Sequence, residues 1–387
     1  MSEQTRTTST TRQFPPFSLT RLLRTVFDPQ PGERVCVLID LENPSDIKGF
    51  RFLQNPDLSI QRHAHDVVYQ GLRHGTMADL GLEGGEMFAY AITGGSNLDL
   101  PEKGFATDGR EVDLVGDVYK KYSLILCVST YSATAPLTAC AKQYGFRGAT
   151  MHGMNQVIVS SGLAVDYFEV SEQAEKLRLG MTRAEWVEID FAFEEKSYTL
   201  HLDLAQQEAQ KSHGLCRGGP DIANLPAGEI YYVPAGAAGE FPHRYEDGTI
   251  GLMTVENGRI HRATLLRGNQ ATVDIHNEKL QVDPVTGELG ELGFGTQELP
   301  VSGHDIQDEK ILGTMHVATG RSDHLGGRLT PSHFANRKNA THDDILFSPS
   351  KTPEINVPQV RMRRDGRTEV LIENFAPAAY MRALLDA

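Results

Sequence analysis

The hydrophobic positions of the chain change their spacing near its middle. In the first half, Leu19, Leu22, Leu23, Val26 and Phe27 fall at i, i+3, i+4, i+7 and i+8, the stripe of an amphipathic helix. Ser18 offers a cap, and Asp28-Pro29 a stop. A second stripe, Ile60, Ala64, Val67, Val68 and Leu72, predicts another helix that ends at Gly75. His63, His65 and His74 would lie on its surface. Two other runs do not alternate at all: Val35-Cys36-Val37-Leu38-Ile39 and Leu124-Ile125-Leu126-Cys127-Val128. Strands of that kind are buried on both faces, the mark of a parallel sheet covered by helices. The second run leads through Ser129-Thr130-Tyr131-Ser132 to a helix predicted over Pro136 to Tyr144 and closed by Gly145, which makes a βα unit. The pairs Gly84-Gly85 and Gly94-Gly95 read as turns.

Beyond about Lys176 the period becomes two. Tyr198 to Leu204 alternates like a half-buried strand. Glu229-Ile230-Tyr231-Tyr232-Val233 is a short aromatic strand stopped by Pro234, and Asn257-Gly258 and Asp365-Gly366 mark hairpins. A last helix is predicted over Ala376 to Leu385. The expected architecture is an α/β N-terminal domain with an open, mostly parallel sheet, over 14–175. A β-rich α+β C-terminal domain over 176–387 follows it. The Thr- and Ser-rich stretch 1–13 has no apolar signal segment and reads as a disordered leader.

Composition narrows the function. A chain of 387 residues, 40% hydrophobic, suits two folded domains and not bulk disorder. With 37 basic against 51 acidic residues the net charge is −14. Such a chain has no diffuse pull on phosphate backbones or anionic membranes, so neither nucleic acid nor membrane is an expected partner. No apolar run approaches the ~20 residues of a membrane helix. The four cysteines form no C-x-x-C pair. Cys36 and Cys127 sit in apolar runs as buried thiols, and a reducing cytoplasmic location is expected.

Common catalytic signatures are absent: no G-x-S-x-G elbow, no H-E-x-x-H helix, no phosphate-binding G-x-x-x-x-G-K-[ST] loop. In the second half, however, acids and imidazoles recur among small and apolar neighbours. They lie in Asn224-Leu225-Pro226-Ala227-Gly228-Glu229, in Gly290-Glu291-Leu292-Gly293-Phe294-Gly295, in Gly313-Thr314-Met315-His316 and in Thr341-His342-Asp343-Asp344. Polar groups in such surroundings are near the interior and must be paired, hydrogen-bonded or bound to a cation. Carboxylates with imidazoles suit zinc, cobalt, manganese or ferrous iron. In an extended strand His342 and Asp344 point to one face, with Asp343 facing away.

The order of these four segments resembles the thermophilic aminopeptidase family, the metallopeptidases of the aminopeptidase T and aminopeptidase S type. Ser129 to Arg147 and Asp166-Tyr167 are similar to that family's first domain. The resemblance implies a peptide-cleaving homodimer with one or two divalent metal ions. Its ligands would be Glu229, Glu291, His316, His342 and Asp344. A bound water would attack a peptide carbonyl at the substrate N-terminus, with Glu229 or Glu291 handling the proton. The chain departs from the family in three places. Asp323 stands where the family has a tyrosine, so Asp323 or His324 is a candidate replacement ligand. Gln297 replaces an asparagine, and His152 replaces a proline.

The same resemblance admits other readings. One is a mononuclear ferrous ring-cleaving enzyme related to 2,5-dihydroxypyridine 5,6-dioxygenase, with Glu291, His342 and Asp344 as its ligands. Another is a peptide-binding relative in a biosynthetic pathway that has lost catalysis.

Overall fold

The computed structural model describes residues 12–387. The leader expected over 1–13 lies outside the described residues apart from its last two, of which Arg12 meets Glu169 at 3.1 Å. The first helix, Leu19–Phe27, forms as its pattern dictates. Ser18 Oγ accepts from the Arg21 amide at 3.2 Å, and Asp28 closes the helix in the left-handed region. All five apolar positions are buried, worth roughly 1.5–3 kcal/mol each.

The first sheet has seven strands in the order Ile222–Asn224, Arg147–Thr150, Leu124–Val128, Arg34–Leu41, Glu83–Ala91, Lys103–Ala106, Glu111–Asp113. The first five run parallel and the last two form an antiparallel edge. The central strands are buried on both faces, as their unbroken apolar runs require. Ile222–Asn224 comes from far along the chain yet pairs with Arg147–Thr150. A run of three residues is too short to signal a strand.

The rest of the described chain builds two antiparallel sheets. An eight-stranded sheet runs Arg259–Arg267, Ile250–Glu256, Gly236–Arg244, Lys196–Asp203, Trp186–Phe193, Ile355–Arg364, Arg367–Glu373, Ala376–Pro377. Its hairpins turn at Asn257-Gly258 and Asp365-Gly366, with positive φ at all four residues. A five-stranded sheet runs His342–Phe347, Met315–Gly320, Leu289–Gly295, Glu229–Tyr232, Gln210–Ser212. The two sheets share one core. Phe347 lies 4.8 Å from Phe191 and 6.2 Å from Phe241, ring centre to ring centre.

Several local expectations are corrected. The second helical stretch does not stop at Gly75. It continues to Leu80 and closes at Gly81, while Gly75, at φ +136°, only kinks it. His65 is buried and not on the surface, because Phe50 and Tyr69 pack against its ring. Gly84-Gly85 is not a turn but a bulge inside the strand Glu83–Ala91, where both take positive φ. The helix predicted from Pro136 starts at Thr134, and the last helix is Ala379–Asp386, with Ala376–Pro377 spent on a sheet edge. No helix among the described residues is long and apolar enough to cross a membrane. Cys36, Cys127 and Cys216 are buried free thiols, and Cys140 is half-buried.

Phe347 seals the core behind the strand that carries His342 and Asp344. Phe347→Ala is expected to lower stability by about 3–5 kcal/mol, measured by urea unfolding. A loss under about 1 kcal/mol would contradict this packing.

Candidate metal centre

The five-stranded sheet has one oily face and one polar face, and strand alternation decides which residue goes where. Ile230, Tyr232, Leu292, Phe294, Val317, Ile345 and Phe347 enter the shared core. Their neighbours Glu229, Tyr231, Glu291, His316, His342 and Asp344 line a cleft of about 190 Å³ on the other side. The opposite wall comes from the carboxyl ends of the parallel strands and the segments just beyond them: Asn97, Ser132, Thr134 at the start of its helix, His152, and Asn224 at the end of its strand. In open α/β sheets that is where ligands bind.

The polar face brings five expected ligands together. His342 Nε2 lies 2.9 Å from Glu291 Oε2 and 3.3 Å from Asp344 Oδ1. His316 Nε2 lies 3.6 Å from Glu291 Oε1 and 3.9 Å from both Glu229 Oε2 and Asp344 Oδ1. Three groups have donor atoms within 4.8 Å of one another: Glu229, Glu291 and His316; Glu291, His342 and Asp344; and Glu309, His316 and Asp344. Asp344 sits deep among protein atoms, yet its side chain is 31% exposed because the cleft opens onto it.

Backbone register makes this arrangement possible. Gly293 pairs with His316 across the sheet, and a Cβ on Gly293 would come within 2.1 Å of the imidazole. Only glycine lets the ring lie there. His342 Nδ1 is 2.6 Å from the Arg321 carbonyl oxygen. A carbonyl can only accept, so Nδ1 carries the hydrogen. A neutral His342 ring then presents the Nε2 lone pair to Glu291 and Asp344, the tautomer that a metal ligand needs.

Charge at the site is unbalanced. Burial alone would raise the Glu291 pKa, but His316 and His342 hold it well below the usual carboxylate range. Burial likewise opposes the charged form of Asp344, and His342 overrides it and lowers the pKa. The imidazoles respond in the opposite sense. Burial would lower His316, yet its contact with Glu291 raises it to about 10. His342 rises well above 6.5 against its own burial, through Asp344 and Glu291. Without a cation, the carboxylates keep protons on both rings.

Two further members were missed in the sequence. Lys310 is fully buried, with Nζ 2.7 Å from Glu229 Oε2 and 2.5 Å from Glu309 Oε1. Burial would lower its pKa, and the two acids hold it above the usual lysine value. Burial, partly offset by Lys310, pushes Glu309 up to about 8. The run Asp308-Glu309-Lys310 reads as a solvated turn, and only its flanks Ile306 and Ile311-Leu312 hinted otherwise.

The remaining candidates lie beside the cluster. Asp323 is held by Arg321, Nε to Oδ1 at 2.7 Å, and belongs to none of the three converging groups. His324 lines the cleft with its ring 4.9 Å from that of His342. Burial lowers its pKa to about 3. His152 lines the other wall, and burial lowers it to about 4. Gln297 is buried, donates to Gln173 at 3.0 Å and does not line the cleft.

No family model matches the chain, and no curated protein matches it. Among solved structures it is similar to one described as 2,5-dihydroxypyridine dioxygenase from Pseudomonas putida KT2440. Identity is 14%, over 93% of this chain and 97% of that one, with a TM-score of 0.59. It is also similar to wild-type AmpT from Thermus thermophilus, at 13% identity over 93% of this chain and 98% of that one, with a TM-score of 0.49. The first likeness shows a shared fold, consistent with an α/β layer joined to a β-rich one.

The raised pKa of His316 fixes a pH response. A proton bound more tightly in the folded state stabilises fully below the unfolded value of about 6.5 and is lost as pH rises through about 10. Metal-free protein is therefore expected to lose stability steadily from pH 6.5 to 10 in urea titrations, and His316→Gln to flatten that slope. A stability that rises over this window would contradict the assignment.

Proposed function

We propose that the chain is a metal-dependent enzyme whose ion is held by Glu291, His342 and Asp344, with a small polar substrate in the cleft above. The convergence of those three side chains on one sheet face, with His342 Nε2 within 3.3 Å of both acids, is the observation that carries it. The donor set fits a divalent ion: two carboxylates and a nitrogen whose tautomer the Arg321 carbonyl sets. Bound there, an ion would polarise a substrate oxygen or an attacking water, and ferrous iron would add one-electron chemistry toward dioxygen.

The first reading of the reaction is ring-opening oxygenation of a small dihydroxylated ring. It is supported by a site that can be completed with a single ion. Lys310 already places a fixed positive charge against Glu229 and Glu309, which weakens what those acids offer a second cation. The chain's own groups then orient the substrate. Ser132, Thr134 and Asn224 supply hydroxyl and amide contacts on the facing wall. Glu309, poised near neutrality, is the carboxylate able to take up or return a proton.

The second reading is aminopeptidase-type hydrolysis with two ions. A specific observation favours it: among the described residues His316 Nδ1 has no hydrogen-bond partner, and Glu229, Glu291 and His316 form a second converging group. A metal-activated water would attack the carbonyl of an N-terminal peptide bond, and Glu229 or Glu309 would carry the proton. The protein acting as a homodimer in the cytoplasm is part of this reading.

Metal analysis of the purified protein, with assays for both reactions, tests the proposal. One iron per chain and oxygen consumption on a dihydroxylated ring fit the first reading. Two ions and amino acids released from peptides fit the second. Glu291→Ala is expected to remove most of the bound metal. Protein that binds no divalent ion, or a Glu291→Ala variant with unchanged metal content, would contradict the proposal.

A further inference from the structure

The turn Asp323–Leu325 carries an imidazole that the ion cluster does not use. His324 lines the cleft beside the proposed ion site, its ring set edge-on against His342. Among the described residues its Nδ1 is shielded from solvent and has no hydrogen-bond partner. A shielded ring nitrogen without a partner is costly unless something else satisfies it.

The turn is held firmly. Arg321, 3% exposed, binds Asp323 through Nε to Oδ1 at 2.7 Å and Nη2 to Oδ2 at 3.2 Å. Its Nη1 donates to the Asn97 carbonyl oxygen at 2.9 Å and to Asp99 Oδ1 at 3.3 Å, both on the facing layer. The Ser322 hydroxyl and backbone add contacts to Leu329 and Gly327. The clamp thus sets the place of His324 from both sides of the cleft. Asp323 serves that clamp, and His324 and Leu325 line the cleft, which leaves His324 as the polar side chain this turn offers there.

We propose that His324 is a substrate-contact residue: it pairs with an O–H or N–H group of the molecule that binds at the ion, and the Arg321–Asp323 clamp is its positioning device. This rests on the metal-centre reading above. The substrate class that satisfies it carries a hydrogen-bonding group next to its metal-binding oxygen, as an ortho-hydroxylated ring or an amide does.

The test uses the zinc-loaded full chain and acetohydroxamate, a small chelator with a polar hydrogen beside its ligating oxygens. Acetohydroxamate affinity and bound zinc are measured for the parent, His324→Phe and His324→Gln. His324→Phe is expected to keep its zinc and to weaken acetohydroxamate about tenfold, the size of one lost hydrogen bond. His324→Gln, which retains a donor and an acceptor, is expected to recover most of that loss. Unchanged affinity in His324→Phe overturns the proposal. Equal weakening in both variants overturns it too, since shape alone would then matter. Zinc lost from both variants would make His324 an ion ligand, which also overturns it while leaving the metal centre standing. A parent that binds no zinc, cobalt, manganese or ferrous iron would remove the metal-centre reading itself, and this inference with it.

Discussion

Three ionised carboxylates, Glu229, Glu291 and Asp344, lie around one patch of sheet, and burial pushes their neighbour Glu309 toward its neutral form. Lys310 offsets one. Protonated His316 and His342 offset two more, and that is why both imidazoles hold their protons far above the ordinary range. A divalent cation supplies the same two charges with both rings neutral. Ion and protons are thus alternative solutions to one electrostatic problem, and the ion solution frees two nitrogens to act as ligands. Buried charge without compensation is expensive, and either solution supplies that compensation.

The surrounding fold keeps that patch rigid and shielded. The strands that carry the acids turn their alternate side chains into a core shared with the eight-stranded sheet. The parallel sheet contributes the carboxyl ends of its strands, Ile222–Asn224 included, and the segments that follow them, and these close the cleft opposite the acids. Gly293 shows how tightly the two requirements are joined, since its missing side chain is the space that the His316 ring fills.

Much of this could be read from the sequence. Unbroken apolar runs at Val35–Ile39 and Leu124–Val128 are strands of the parallel sheet, and alternation marked the later ones. His342 and Asp344 share a face because strands have a period of two. Other features depend on contacts that sequence spacing does not encode. Lys310 and Glu309 look like a hydrated turn until the chain folds Glu229 over them. Ile222–Asn224 becomes a strand only because Arg147–Thr150 leaves an open edge. His65 is buried by Phe50, whose place follows from an irregular turn that no periodicity announces.

The exchange of protons for an ion is the central claim, and calorimetry measures it directly. Titrating divalent metal into metal-free protein at pH 7, in buffers of different ionisation heat, counts the protons released. The account predicts between one and about two protons released per ion bound, reduced in a His316→Gln variant. Ion binding with no proton release, or no ion binding at all, would contradict it.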